Sequence, residues 1–166
     1  MMKLIFKRVV LVVVLVVALD QLTKQFITRS MDVGDSIPVI NDFLYITYHR
    51  NAGAAFGWFQ GRMIFFYIMT AIAILSIVIW LSKLNLKKEK VLTFALALFL
   101  GGAIGNFIDR ILYQEVIDFV HTIWWGRSFA IFNVADMALV CGAILMTLDV
   151  LILDRRRGKE LYFDMD

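Results

Sequence analysis

The sequence is poor in the residues that small soluble or metal-dependent enzymes rely on. Its single cysteine, Cys141, excludes an intramolecular disulfide. With no histidine or basic residue nearby to favour a thiolate, Cys141 reads as a small packing residue inside an apolar run. The two histidines, His49 and His121, form no ligand spacing with other donors, and there is no HExxH, so zinc chemistry lacks its ligands. No GxSxG presents a serine nucleophile, and the GxGD of presenilin-like aspartic proteases is missing too. Charge is scarce at 19%, only one proline occurs, and no repeat or low-complexity tract breaks the chain.

What fills the 166 residues is apolar: 61% of them, with a mean hydropathy of +0.78. A soluble domain has roughly half its residues apolar, so this is a single integral membrane domain covering residues 1–166. Uninterrupted apolar stretches at about 9–27, 63–81, 91–108 and 129–148 each approach the roughly 20 residues that cross the hydrocarbon core as a helix. Four spans put both termini on one side. Lys3, Lys7 and Arg8 precede the first span, Lys83, Lys87, Lys88 and Lys90 fill the loop between the second and third, and Arg155, Arg156, Arg157 and Lys159 come after the fourth. These are eleven of the seventeen basic residues, so the positive-inside rule makes that side cytoplasmic. The net charge of +3 reflects orientation and calls for no nucleic-acid partner. A cleavable leader is the rival account of the basic, apolar start. It is set aside because removing it breaks the parity of the spans and because the helical pattern runs on past Ala18 through Asp20 and Lys24.

The two loops on the other side, about 28–62 and 110–128, are patterned. "FLYITYH" (43–49) reads as a strand leading into the turn "RNAGAAFG" (50–57), and "EVIDFV" and "SFAIF" read as two strands joined through "WWGR". The expected fold is therefore an all-α membrane protein, a four-transmembrane-helix bundle carrying a small extracytoplasmic β-sheet. Trp58, Trp124 and Trp125 are expected at the outer interface, where amphipathic rings anchor.

The polar residues of the spans gather at one level. Asp20 and Lys24 lie one turn apart near the outer end of the first span, where an ion pair is a sufficient structural account. Asn106, Asp109 and Arg110 close the third, with Asp109 and Arg110 readable as a helix-end pair. Asn133 and Asp136 enter the fourth, with Asp136 placed about seven residues inside Phe129, or roughly 10 Å. Asp118 belongs to the outer loop between them. Asp118 and Asp136 have no adjacent base, so a purely structural role explains them least. Two carboxylates held close cannot both ionise cheaply and share a proton near neutral pH. One then deprotonates water while the other hydrogen-bonds to a scissile carbonyl, which suits peptide hydrolysis. A small proton-coupled transporter is the alternative, but a relay needs acids distributed through the membrane depth.

"DQLTK" (20–24), "RNAGAAFG" (50–57), "GGAIGNFIDR" (101–110), "VIDF" (116–119) and "FNVAD" (132–136) resemble, in order and spacing, the motif blocks of the bacterial lipoprotein signal peptidases, signal peptidase II. The resemblance covers nearly the whole chain. It implies a cell-membrane peptidase that cleaves diacylglyceryl-modified prolipoproteins just before the lipid-bearing cysteine, without metal or other cofactor, and is inhibited by globomycin. It also implies that Asp118 and Asp136 are the catalytic pair. Asp20, Lys24, Asn51, Gly53, Asn106, Asp109, Arg110 and Asn133 are implied as supporting or substrate-binding residues.

Overall fold

The computed structural model describes residues 2–53 and 62–153. Its elements are α1 (Met2–Ser30), β1 (Ser36–Ile40), β2 (Leu44–Asn51), α2 (Met63–Lys83), α3 (Lys90–Tyr113), β3 (Val116–Trp124), β4 (Arg127–Phe132) and α4 (Val134–Leu148), closed by a π-helical turn at Asp149–Leu153. Among the described residues, four helices are long and apolar enough to cross a membrane: Phe6–Ser30, Met63–Lys83, Lys90–Tyr113 and Val134–Ile152. Large apolar side chains such as Leu22, Phe26, Ile64 and Leu75 cover their outer faces, as a hydrocarbon solvent requires.

Helix α3 is the hub of the bundle. Over its apolar stretch 61% is buried, against 22%, 11% and 22% for the other three. The reason lies in its small residues. A Cβ on Gly101 would sit 2.8 Å from Val16 Cβ of α1, and one on Gly102 would collide with the Ala135 carbonyl of α4. Helices in lipid gain little from hydrophobic burial, so this close backbone approach and its dispersion contacts hold α1 and α4 against α3. Helix α2 packs on α3 through Ile77, Leu92, Leu96 and Leu100, and scarcely touches α1.

At one end of the bundle lies an antiparallel sheet in the order β1-β2-β3-β4. The segment between α1 and α2 supplies β1 and β2, and that between α3 and α4 supplies β3 and β4, so the β2–β3 pairing joins the two loops. Ile27 of α1 and Met31 just past its end seat the sheet through Tyr48, Ile117 and Phe119. The first four residues of β3, Val116–Phe119, are buried on both strand faces. A hydrogen-bonded row runs across all four strands: Ser36 Oγ to Thr47 Oγ1 at 2.7 Å, Thr47 Oγ1 to His121 Nδ1 at 3.0 Å, and His121 Nε2 to Ser128 Oγ at 2.9 Å.

Both strands expected of the second loop are present, as is the strand at 44–51, while β1 carried no signal that was read. Three expectations are corrected. The fourth helix begins at Val134 rather than about Phe129, because 127–132 pairs with β3 and Asn133 caps the helix. Asp136 therefore stands in the first turn of α4, not seven residues inside it. Cys141 is exposed on the outer face of α4 instead of packed within the bundle. Trp125 is 93% exposed at the β3–β4 turn, whereas Trp58 and the second half of the expected Gly/Ala-rich turn, 54–57, lie outside the described residues.

Candidate active site

The site begins with a helix cap. Asn133 is extended, and its side chain accepts a hydrogen bond from Asp136 N at 2.9 Å, while the Asp136 carboxylate accepts one from Asn133 N at 3.3 Å. This reciprocal capping box satisfies amides that the first turn leaves unpaired, and it fixes the orientation of the Asp136 carboxylate at the positive end of the helix. The other Asp136 oxygen accepts from Asn106 Nδ2 at 2.7 Å.

The Asn133 amide nitrogen faces the sheet. It donates to Asp118 Oδ1 at 2.6 Å and lies 3.2 Å from the Ile117 carbonyl and 3.1 Å from Asn106 Oδ1. Asn51 Nδ2 donates to the second Asp118 oxygen at 3.0 Å, while its own Oδ1 is held by Gly53 N at 3.0 Å. Register explains the reach. Asn51 pairs with Val116 and His49 with Asp118, so Asn51 and Asp118 are diagonal neighbours across β2 and β3. Asp118 and Asp136 are thus linked through one asparagine that touches both.

Below this pair lies a buried ion triad. Lys24 Nζ stands 2.8 Å from both Asp20 Oδ2 and Asp109 Oδ2, and donates to Asn106 Oδ1 at 3.1 Å. All three charged side chains are at most 2% exposed, which is tolerable only because every oxygen has a donor. Asp20 Oδ1 accepts from Ala135 N at 2.9 Å, and Asp109 Oδ2 also accepts from Ile117 N at 3.1 Å. Gln21 Nε2 donates to Asp109 Oδ1 at 2.8 Å. The triad therefore ties α1 and α3 to β3 and α4, the elements that carry Asp118 and Asp136. The helix-end pair expected between Asp109 and Arg110 does not form. Arg110 lies over the Phe66 ring at 4.8 Å and donates to the Asn106 carbonyl at 3.3 Å, while Tyr67 donates its hydroxyl proton to the Arg110 carbonyl at 2.8 Å.

All ten residues singled out in the sequence fall in or against this network, Gly53 through its backbone alone. Gln21, Phe66 and Tyr67 were missed. Gln21 lies within "DQLTK" and carried a signal by position, whereas the two aromatics looked like ordinary lipid-facing or core residues. Asp149, 1% exposed at the far end of α4, was missed as well, so the buried acids do not all lie at one level.

The electrostatics separate the two acids. Burial, reinforced by the negative charge of Asp136, pushes the Asp118 carboxyl up to about 7, against the pull of the Asn51 and Asn133 amides. Asp136 is only half-buried. A carboxyl that keeps its proton near neutrality can serve as a general acid, and the Asp136 carboxyl stands beside it in the same network. Among the described residues, no group of three or more His, Cys, Asp or Glu side chains is placed to hold a metal ion.

The chain matches a family model described as signal peptidase (SPase) II over residues 12–152. A lipoprotein signal peptidase of Bacillus pumilus is 52% identical over 144 residues, covering 87% of this chain and 92% of the relative. One from Listeria welshimeri is 49% identical over 146 residues, covering 88% and 94%. A bacterial membrane enzyme solved by the in meso method at 2.3 Å superimposes with a TM-score of 0.80 at 42% identity, covering 92% of each chain. Another, at 1.9 Å, gives 0.80 at 43% identity, covering 88% and 94%.

Proposed function

This chain belongs to the signal peptidase II family, and from that premise we propose that it is a membrane-embedded aspartic endopeptidase with Asp118 and Asp136 as its catalytic pair. Its substrates are prolipoproteins carrying a diacylglyceryl-modified cysteine, from which it removes the signal peptide just before that cysteine. Membership of a peptidase family gives no support to the transporter alternative. The observation that carries the reading is the link from Asp118 through Asn133 to Asp136, with the Asp118 carboxyl raised to about 7.

Asp118 holds the shared proton and donates it to the scissile carbonyl oxygen, while Asp136 accepts a proton from the attacking water. Water oxygen bonds to the carbonyl carbon, giving a neutral diol. Collapse returns the carbonyl-oxygen proton to Asp118, passes the Asp136 proton to the amide nitrogen, and breaks the C–N bond. Asn51, Asn106 and Asn133 hold the two carboxyls in register. The Asp20–Lys24–Asp109 triad fixes the framework beneath them, and Arg110 contributes positive charge at the border.

The basic ends of the bundle lie in the cytoplasm and the aspartates near the opposite surface, where the peptide of a lipid-anchored substrate emerges. Membrane lipid and globomycin-type inhibitors are the expected partners. The test is globomycin-sensitive release of the signal peptide from a diacylglyceryl prolipoprotein by the purified protein. Asp118→Asn and Asp136→Asn should each lower turnover by about 10²-fold or more while leaving the fold intact, because an amide neither takes nor gives the proton. Substantial residual turnover in either variant removes that residue from the pair.

A further inference from the structure

At the end of the bundle away from the aspartates, the weak contact between α1 and α2 leaves an open groove of about 1380 Å³. Its walls include Val10 and Val14 of α1 and Val78 of α2, all exposed and apolar. Its mouth carries Lys7, Lys83 and Lys87. No aspartate or glutamate lines the groove, and none of the three lysines has a carboxylate partner among the described residues. Three cations with no carboxylate partner among the described residues, set at the mouth of an apolar slot between membrane-spanning helices, call for one kind of occupant, with hydrocarbon below and negative charge above. The leader of a substrate fits poorly, since a signal peptide brings its own basic segment to this membrane face.

We propose that this groove is a binding site for an anionic phospholipid, acyl chains lying along Val10, Val14 and Val78 and the headgroup phosphate held by Lys7, Lys83 and Lys87. Basic pockets between helix ends hold anionic headgroups in this manner, because charge attraction acts together with acyl burial. The bound lipid fills the gap that α1 and α2 do not close themselves.

The probes are phosphatidylglycerol and phosphatidylcholine, added separately to the full-length protein in detergent and monitored by native mass spectrometry. Wild type should retain phosphatidylglycerol several-fold better than phosphatidylcholine. Lys7→Gln/Lys83→Gln/Lys87→Gln should lose that preference, with about tenfold less phosphatidylglycerol bound. A control lacking three cations at the other end, Arg29→Gln/Arg62→Gln/Arg127→Gln, should bind like wild type. Val14→Trp/Val78→Trp, which fills the slot, should lower retention of both lipids while the lysines remain. Equal retention of the two lipids by wild type, an unaffected lysine variant, or an equally impaired control would each overturn the proposal. A dimer appearing in place of lipid adducts would assign the groove to a second copy of the chain and overturn it as well.

Discussion

A carboxyl that holds its proton more tightly in the folded protein than in the unfolded chain makes stability depend on pH. Asp118 rises from 3.8 to about 7, first because burial removes water from the charged form and next because Asp136 repels a second negative charge. The stability it contributes is fully present below 3.8 and is lost as pH rises through about 7. Wild type should therefore melt at a higher temperature near about pH 5 than near about pH 8.5, with at most about 3 kcal/mol at stake. Asp118→Asn should flatten that window, and turnover of the wild type should fall as pH rises through about 7. Melting curves and a kcat profile over this range check both. The same pH dependence of melting in wild type and Asp118→Asn would show that Asp118 is ionised in the folded site. Much of this network was legible at the residue level, because Asp118 and Asp136 lacked neighbouring bases and fell within recognisable blocks, and Asn133 links the two. The partner of Asp109 was not. Adjacent residues on a helix point about 100° apart, so Arg110 faces Phe66 while Asp109 turns inward to Lys24, far away in sequence.

Among the elements, α3 sets the position of everything around it. Gly105 faces Asp20 and Ala135 so closely that an added Cβ would lie 2.7 Å from Asp20 Oδ2 and 3.1 Å from Ala135 Cβ. Gly102, one turn lower, touches the backbone of α4 directly. Gly102→Ala should push α4 away, costing about 1–3 kcal/mol and loosening the 2.7 Å link from Asn106 to Asp136. The expected result is a lower melting temperature together with a fall in kcat that exceeds the change in KM. A destabilised variant with wild-type kcat would confine α3–α4 contact to stability. The stretch 101–105 holds three glycines, but their spacing does not say that Gly102 makes the tightest approach among the described ones, since that depends on how α4 is rotated. The start of α4 was obscure for another reason. The run 127–132 is apolar enough for either a helix or a strand, and its pairing with β3 decides the matter.

At the scale of the whole molecule, the spanning helices set the depth of the site and the sheet closes over its end. On the proposed function, a substrate whose acyl chains are anchored in the bilayer arrives with its scissile bond already near that depth, and binding energy from the chains serves to position the carbonyl. An unlipidated version of the same peptide should therefore lose kcat as well as affinity when both are taken to saturation in one detergent. Equal maximal rates would mean that the lipid only concentrates substrate. The four spanning helices were readable from hydropathy because each depends on composition over about 20 residues. The assembly of β2 against β3 was not, since it depends on contacts between segments that two helices separate. That pairing also governs timing. Asn51 and Asp118 are 67 positions apart, and α4, which brings Asp136 and the Asn133 cap, is the last of the four spans to leave the ribosome. A growing chain carries α1, the first hairpin and most of the triad long before it holds two aspartates in register. The proposed hydrolytic centre is therefore assembled only after α4 has been made, and a chain that stops short of α4 lacks it.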